Sequence, residues 1–181
     1  TVEDPFGWDR EHLGGIVSSA GMGGSGFSAQ YGYFETRMLG APGTGTWPAF
    51  WMLSSGSLHD GAQSTGEVDA VELYGHAVTS SCTSTHAWVD GENERKRTEC
   101  VEAGTVEDWA LQWHTYGVRI LPDSTVFTVD GVRVAEFEEP IQAHQPFYYM
   151  VDLALGGGWP IDLSPTSGTA DLYVDYVRVY T

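Results

Sequence analysis

Short runs of β-branched and aromatic residues recur along this chain between clusters of Gly, Ser, Pro and Asp, and helical spacing of apolar residues is almost absent. A chain patterned this way buries apolar faces by stacking sheets, which predicts a β-sandwich. The predicted strands are Gly15 to Ser19, Tyr31 to Leu39, Ala49 to Leu53, Glu67 to Tyr74, Thr83 to Val89, Thr115 to Leu121, Thr125 to Val129, Val132 to Phe137, Phe147 to Leu155 and Asp171 to Tyr180. The last alternates Leu172, Val174 and Tyr176 against Tyr173, Asp175 and Val177, with large groups on both faces, and so predicts a strand packed on both sides. Val129-Asp130-Gly131-Val132 sets Asp-Gly between two apolar runs, the strongest short hairpin signal. The stretches Ala20 to Gly26 and Ser54 to Gly66 read as surface loops, and Val106 to Trp109 as a single helical turn.

With 181 residues the chain fills one core, and a single domain over residues 1–181 is expected. No apolar run is long enough to span a membrane, and Thr1 to Pro5 lack the features of a signal peptide. Opening on Thr1, the chain reads as a processed product. Eight Lys and Arg against 25 Asp and Glu give a net charge of -17, a surface that repels phosphate backbones and anionic membranes. Neither nucleic acid nor membrane is therefore an expected partner. The basic run Arg95-Lys96-Arg97 lies among Glu92, Glu94 and Glu99 and reads as a solvated loop. Cys82 and Cys100 are the only cysteines and lie far from any zinc-site spacing. A disulfide between them would contribute about 3 kcal/mol and require an oxidising compartment; two buried thiols in a reducing one is the alternative.

The chemistry concentrates in Gly66-Glu67-Val68-Asp69-Ala70-Val71-Glu72. In an unbroken strand side chains alternate, so Glu72 would point away from Glu67 and Asp69. One bulge near Ala70-Val71 returns it to their face and sets three carboxyls in a row. A retaining glycosidase needs two carboxyls about 5 to 5.5 Å apart, one attacking and one protonating the leaving oxygen. Crowding also separates their proton affinities, because like charges on one floor cannot all ionise cheaply. This reading makes Glu67 the nucleophile, Asp69 its positioning partner, and Glu72 the general acid and then base. An acidic solvated strand face, or three ligands of a structural Ca²⁺, would use the same residues.

The flanks favour the enzyme. Tyr31-Gly32-Tyr33-Phe34-Glu35-Thr36-Arg37-Met38, then Gly45-Thr46-Trp47-Pro48-Ala49-Phe50-Trp51-Met52, then the acidic motif, closely resemble glycoside hydrolase family 16, the laminarinase-like group. The resemblance continues through Trp113-His114-Thr115-Tyr116, the Val129-Asp130-Gly131 hairpin, Leu153 to Pro160 and Asp175 to Tyr180. It covers nearly the whole chain from Gly15 on.

What the resemblance implies is an all-β, concanavalin-like jelly-roll sandwich of two curved antiparallel sheets, with the catalytic strand lining a cleft on the concave face. Such a cleft admits a polymer, so the implied activity is endo-cleavage of a β-1,3- or β-1,4-linked glucan, secreted by a bacterium and needing no cofactor. Seven Trp and nine Tyr fit sugar stacking. By resemblance Trp47 and Trp51 are cleft walls on the glycone side, His86 is a cleft histidine on the next strand, and Trp159 is a further cleft candidate. His114 reads as a core histidine. The family also implies a structural calcium held through Asp175. Family members carry more strands ahead of Gly14-Gly15-Ile16-Val17-Ser18-Ser19, so this chain is short of them, and a monomer is expected unless a partner supplies them. That block lacks an Arg found in many laminarinases, and exopolysaccharide depolymerases of the same family look at least as close. A lectin on the same fold would bind without cutting, and a transglycosylase would pass the glycosyl group to a sugar.

Overall fold

The computed structural model describes residues 7, 11–59, 63–102, 111–138 and 145–181, so the helical turn expected at Val106 to Trp109 lies outside the described residues. In chain order the strands are β1 (Gly15–Ser18), β2 (Ala20–Gly21), β3 (Ser25–Gly26), β4 (Gly32–Leu39), β5 (Thr46–Ser54), β6 (Ser64–Leu73), β7 (Ser80–Val89), β8 (Glu92–Glu102), β9 (Trp113–Ile120), β10 (Thr125–Val129), β11 (Val132–Phe137), β12 (Phe147–Leu155) and β13 (Tyr173–Tyr180). Two antiparallel sheets result, one in the order β1-β12-β5-β6-β7-β8 and the other β11-β10-β9-β4-β13. This is the predicted sandwich, with the Asp130-Gly131 hairpin joining β10 to β11. The stretch Ala20 to Gly26, expected as a loop, instead pairs β2 with β3 around a 3-10 turn. A second 3-10 turn, Ser55–Leu58, follows β5.

Strand alternation builds the core. Phe34, Thr36 and Met38 of β4 point inward and are fully buried, and Thr36 donates its hydroxyl to the Tyr176 carbonyl at 3.0 Å. From the same sheet come Tyr116, Val118 and Phe127; from the other come Phe50, Met52, Val68, Val71 and Phe147. Each such burial contributes roughly 1.5–3 kcal/mol. On β5 the opposite face, Trp47, Ala49, Trp51 and Leu53, is thereby turned away from the core. Pro48 lies inside β5, a strand predicted to begin at Ala49. The ladder to β6 starts only at Ala49, and at that ladder's end a residue without an N–H is tolerated.

Two expectations are corrected. Arg95-Lys96-Arg97 belongs to a strand, not to a loop: β8 runs as the outer strand of the larger sheet, its side chains almost all exposed. Solvated on both faces, it carries no apolar alternation to betray it, and its charges deter further pairing at the edge. It is tied to β7 by the Cys82–Cys100 disulfide between directly opposed residues. The last strand, β13, is not packed on both sides but pairs, among the described residues, with β4 alone, leaving Tyr173 and Tyr180 more than half exposed. Large side chains report what a strand could bury; its position in the sheet decides what covers it. At the other sheet's edge β1 pairs, among the described residues, only with β12, and Ile16 and Val17 are exposed. A groove of about 760 Å³, lined by Leu13, Val17, Tyr149, Leu172 and Val174 among others, opens between these two edges. Among the described residues no helix is long and apolar enough to cross a membrane.

Candidate active site

The bulge lies where the carboxylates require it. Against β5, Trp51 opposes Asp69, Phe50 opposes Val71 and Ala49 opposes Glu72, so Ala70 is the extra residue. Against β7 the register likewise jumps between Asp69 and Glu72, and the Thr83 hydroxyl donates to the displaced Ala70 carbonyl at 2.9 Å. Ala70 and Val71 are both buried, and Val71 rather than Ala70 takes the inward place opposite Phe50. Glu67, Asp69 and Glu72 therefore share the face turned away from the core, in a cavity of about 230 Å³ walled by Trp47 and Trp51.

Each carboxylate has its own donors. Trp88 Nε1 donates to Glu67 at 2.8 Å, and His86 Nε2 stands 3.1 Å from Asp69 and 3.9 Å from Glu67. Glu72 accepts from Trp47 Nε1 at 3.2 Å and from the Ser84 hydroxyl at 3.3 Å. Burial raises all three acids: Glu67 to about 7, helped by the charge of Asp69; Asp69 to about 6, helped by Glu72; and Glu72 also above the ordinary range. For His86 burial pulls down, but the hydrogen bond and charge of Asp69 and the charge of Glu67 outweigh it and lift the imidazole. At neutral pH the site therefore holds protons as a unit, shared over groups in contact. Asn93 on β8 caps the other imidazole nitrogen, Nδ1, at 2.8 Å and fixes the ring.

The aromatic candidates gather at one end of this floor. Trp159 meets Trp47 edge-on at 5.6 Å between ring centroids and Tyr74 at 5.4 Å, with His76 4.9 Å away. Gly157 makes the packing possible: at φ +70° it follows a turn that L side chains rarely adopt, and an added Cβ would lie 2.5 Å from the Trp47 ring. At the other end His86 stacks on Trp88 at 5.7 Å. Trp51 donates its indole N–H to Asp152 of β12 at 2.8 Å. Sequence reasoning singled out Trp47, Trp51, His86 and Trp159, all brought to this face, and missed Ser84, Tyr74, Asn93 and Asp152. Asp152 had a signal, the lone carboxylate in the apolar run Phe147 to Leu155; Ser84 and Asn93 are ordinary polar strand residues, and Tyr74, just past β6, is one tyrosine among nine.

Two outlying candidates lie elsewhere. His114, on β9, is buried and holds Asp130 through Nδ1 at 2.7 Å, bracing the hairpin. Asp175 sits at an irregularity of β13, half-exposed, with its carboxylate on Arg37 at 2.9 Å. A guanidinium stands where a cation would, so the surroundings of Asp175 do not fit the implied calcium. Among the described residues the one converging set of three His, Cys, Asp or Glu ligand atoms is Glu67, Asp69 and His86. Hydrogen bonding between His86 and Asp69 accounts for that approach.

Comparison with known proteins points the same way. The family described as Glycosyl hydrolases family 16 matches residues 9–178. The endo-1,3-1,4-beta-glycanase EglC of Rhizobium meliloti is 34% identical over 159 residues, covering 87% of this chain and 32% of that protein. A beta-glucanase of Rhodothermus marinus is 30% identical over 167 residues, covering 83% of this chain and 57% of its own length. The chain thus spans a third to somewhat over half of these relatives. Among solved structures, the endo-beta-1,3-glucanase of Pyrococcus furiosus superposes with a TM-score of 0.72 at 30% identity, over 86% of this chain and 62% of that one. The laminarinase catalytic domain of Thermotoga maritima gives 0.73 at 26% identity, over 86% and 66%.

Proposed function

The chain belongs to glycosyl hydrolases family 16, and from that we propose that it is an endo-acting, retaining hydrolase of a β-1,3- and/or β-1,4-linked glucan or related polysaccharide. The observation that carries the proposal is the bulge at Ala70, which sets Glu72 on the same face as Glu67 and Asp69. A Glu67 carboxylate oxygen attacks the anomeric carbon while the C–O bond to the leaving sugar breaks, and the Glu72 proton passes to the departing oxygen. Glu72, now ionised, takes a proton from water, whose oxygen displaces Glu67 and restores both groups. The productive form has Glu67 ionised and Glu72 protonated. Trp88 and His86 donate to the first pair of acids, and burial keeps the proton on the last. Because burial and Asp69 hold Glu67 up to about 7, this form becomes scarcer as pH falls below neutrality.

Glucanases of this family need no cofactor for the reaction. The names of the relatives above, which act on β-1,3 and mixed-linkage polymers, support the substrate class. Secretion is part of the same proposal, since the Cys82–Cys100 bridge persists only in an oxidising compartment. The test is release of reducing ends from laminarin, lichenan, agarose, carrageenan and bacterial exopolysaccharides. Cleavage of a β-glucan is expected, with kcat lowered at least ~10³-fold in Glu67→Gln and in Glu72→Gln. Near-normal hydrolysis by Glu67→Ala would defeat the assignment.

A further inference from the structure

We propose that Asp152 is a substrate-binding residue, whose carboxylate receives hydroxyl groups of the sugar ring seated over Ala49 and thereby selects a ring without acidic substituents. This rests on the hydrolase reading and adds to it the chemical class of one bound sugar.

Strand register places the residue. Asp152 lies opposite Ala49, and Ala49 opposite Glu72, across three adjacent strands. Paired residues share a face, so these side chains line one transverse row. Neighbouring strands are about 4.8 Å apart, which puts the α-carbons of Asp152 and Glu72 roughly 10 Å apart. Only the methyl of Ala49 stands between them. Along β5, Trp47 and Trp51 lie two residues to either side of Ala49 on the same face. The result is a slot with a flat floor, indole walls at both ends and carboxylates on both sides, and all of these residues line the same cavity. A pyranose has matching surfaces: apolar ring faces for the indoles and equatorial hydroxyls for the acids.

Asp152 is held for that use. Trp51 Nε1 binds Oδ1 at 2.8 Å and so locks the carboxylate to the wall. No other hydrogen bond reaches this side chain from the described residues, and no Lys, Arg or His pairs with it. A half-buried carboxylate with a single neutral donor costs the fold stability, and sugar hydroxyls would complete its coordination with charge-assisted bonds. The same charge sets the selection. A sulfate or carboxyl on the ring in this slot would face the Asp152 carboxylate, with no Lys, Arg or His among the residues that line the slot to offset it.

The test uses Asp152→Asn, which keeps an oxygen for the Trp51 N–H, with Asp152→Ala as the second variant. Each is assayed on a neutral β-glucan and on the same glucan partly sulfated. The expected result is a KM on the neutral polymer raised about 10–100-fold with kcat changed far less, together with a narrowed preference for neutral over sulfated chains in Asp152→Asn. Folding of each variant is checked by its melting transition. Unchanged KM and unchanged preference in both folded variants would overturn the proposal. If the parent chain cuts no glucan at all, the hydrolase reading falls separately. Affinity of parent and Asp152→Asn for the two polymers then decides the role of Asp152, equal affinities overturning it.

Discussion

Burial around Glu67 favours its protonated form, and this has a cost when the side chain must ionise to work. Its carboxyl rises from an ordinary 4.5 to about 7, and that of Asp69 from 3.8 to about 6. A carboxyl raised in the folded state binds more protons there than in the unfolded chain. Its contribution to stability is therefore full below the unfolded value and is lost as pH rises through the folded one. Above pH 7 both acids are ionised and oppose folding. Glu67→Gln, which cannot ionise, is expected to melt higher than the parent at about pH 8, by on the order of 5 °C for about 2 kcal/mol, and to show almost no gain at about pH 4. Calorimetry at the two pH values checks this; an equal gain at both would mean that ionisation is not its source. Of these residue-scale features the acidic triplet was legible in the sequence, because three carboxyls on an otherwise apolar run serve packing poorly and chemistry well. Asp152 stood out only as a lone carboxylate in an apolar run; its role was not legible, since that depends on Ala49 and Glu72, residues about 80 to 100 positions away that only strand pairing brings alongside it.

At the scale of elements, strands with a β-branched or apolar run were readable, β1 even though it is exposed throughout, and β8, without such a run, was not. β4, β5 and β12 carry the alternation or apolar run that burial demands, and they were found within a few residues of their ends. β8 has eleven residues and no buried face, so hydrophobic patterning offered nothing to find. The bulge of β6 was inferred from chemistry, because an unbroken pleat would waste Glu72. Deleting Ala70 should close the ladder into an unbroken pleat with Val71 still opposite Phe50 and Glu72 still opposite Ala49, so that Glu72 keeps the cleft face while Thr83 loses its acceptor. A folded deletion variant is therefore expected to keep far more activity, measured as reducing-end release, than Glu72→Gln, which lacks the general acid. The folded fraction of the deletion variant, read by circular dichroism, separates this from collapse. Activity as low as that of Glu72→Gln in a folded deletion variant would mean that the bulge contributes more than the face it gives Glu72.

The whole molecule is a sandwich closed along one side and open along the other. The inward faces of its sheets meet in a well-filled core, while β1 and β13 end the two sheets at a groove lined with apolar side chains. Fold class and sheet content follow from the rhythm of the sequence, but the open side does not, since nothing local to β13 says that β4 is its one neighbour among the described residues. Leu13, Ile16, Val17 and Met22 are already 60% or more exposed in the native state. Water therefore covers in advance part of what unfolding would otherwise uncover. The consequence is thermodynamic: a chain of this length should absorb about 2.2–2.7 kcal/mol/K more heat unfolded than folded, and this one is expected to fall short of that range. Its stability would then vary with temperature along a flatter, broader curve, resisting cold as well as its modest core resists heat, and a scanning calorimeter that returned the full increment would show the groove to be closed in solution.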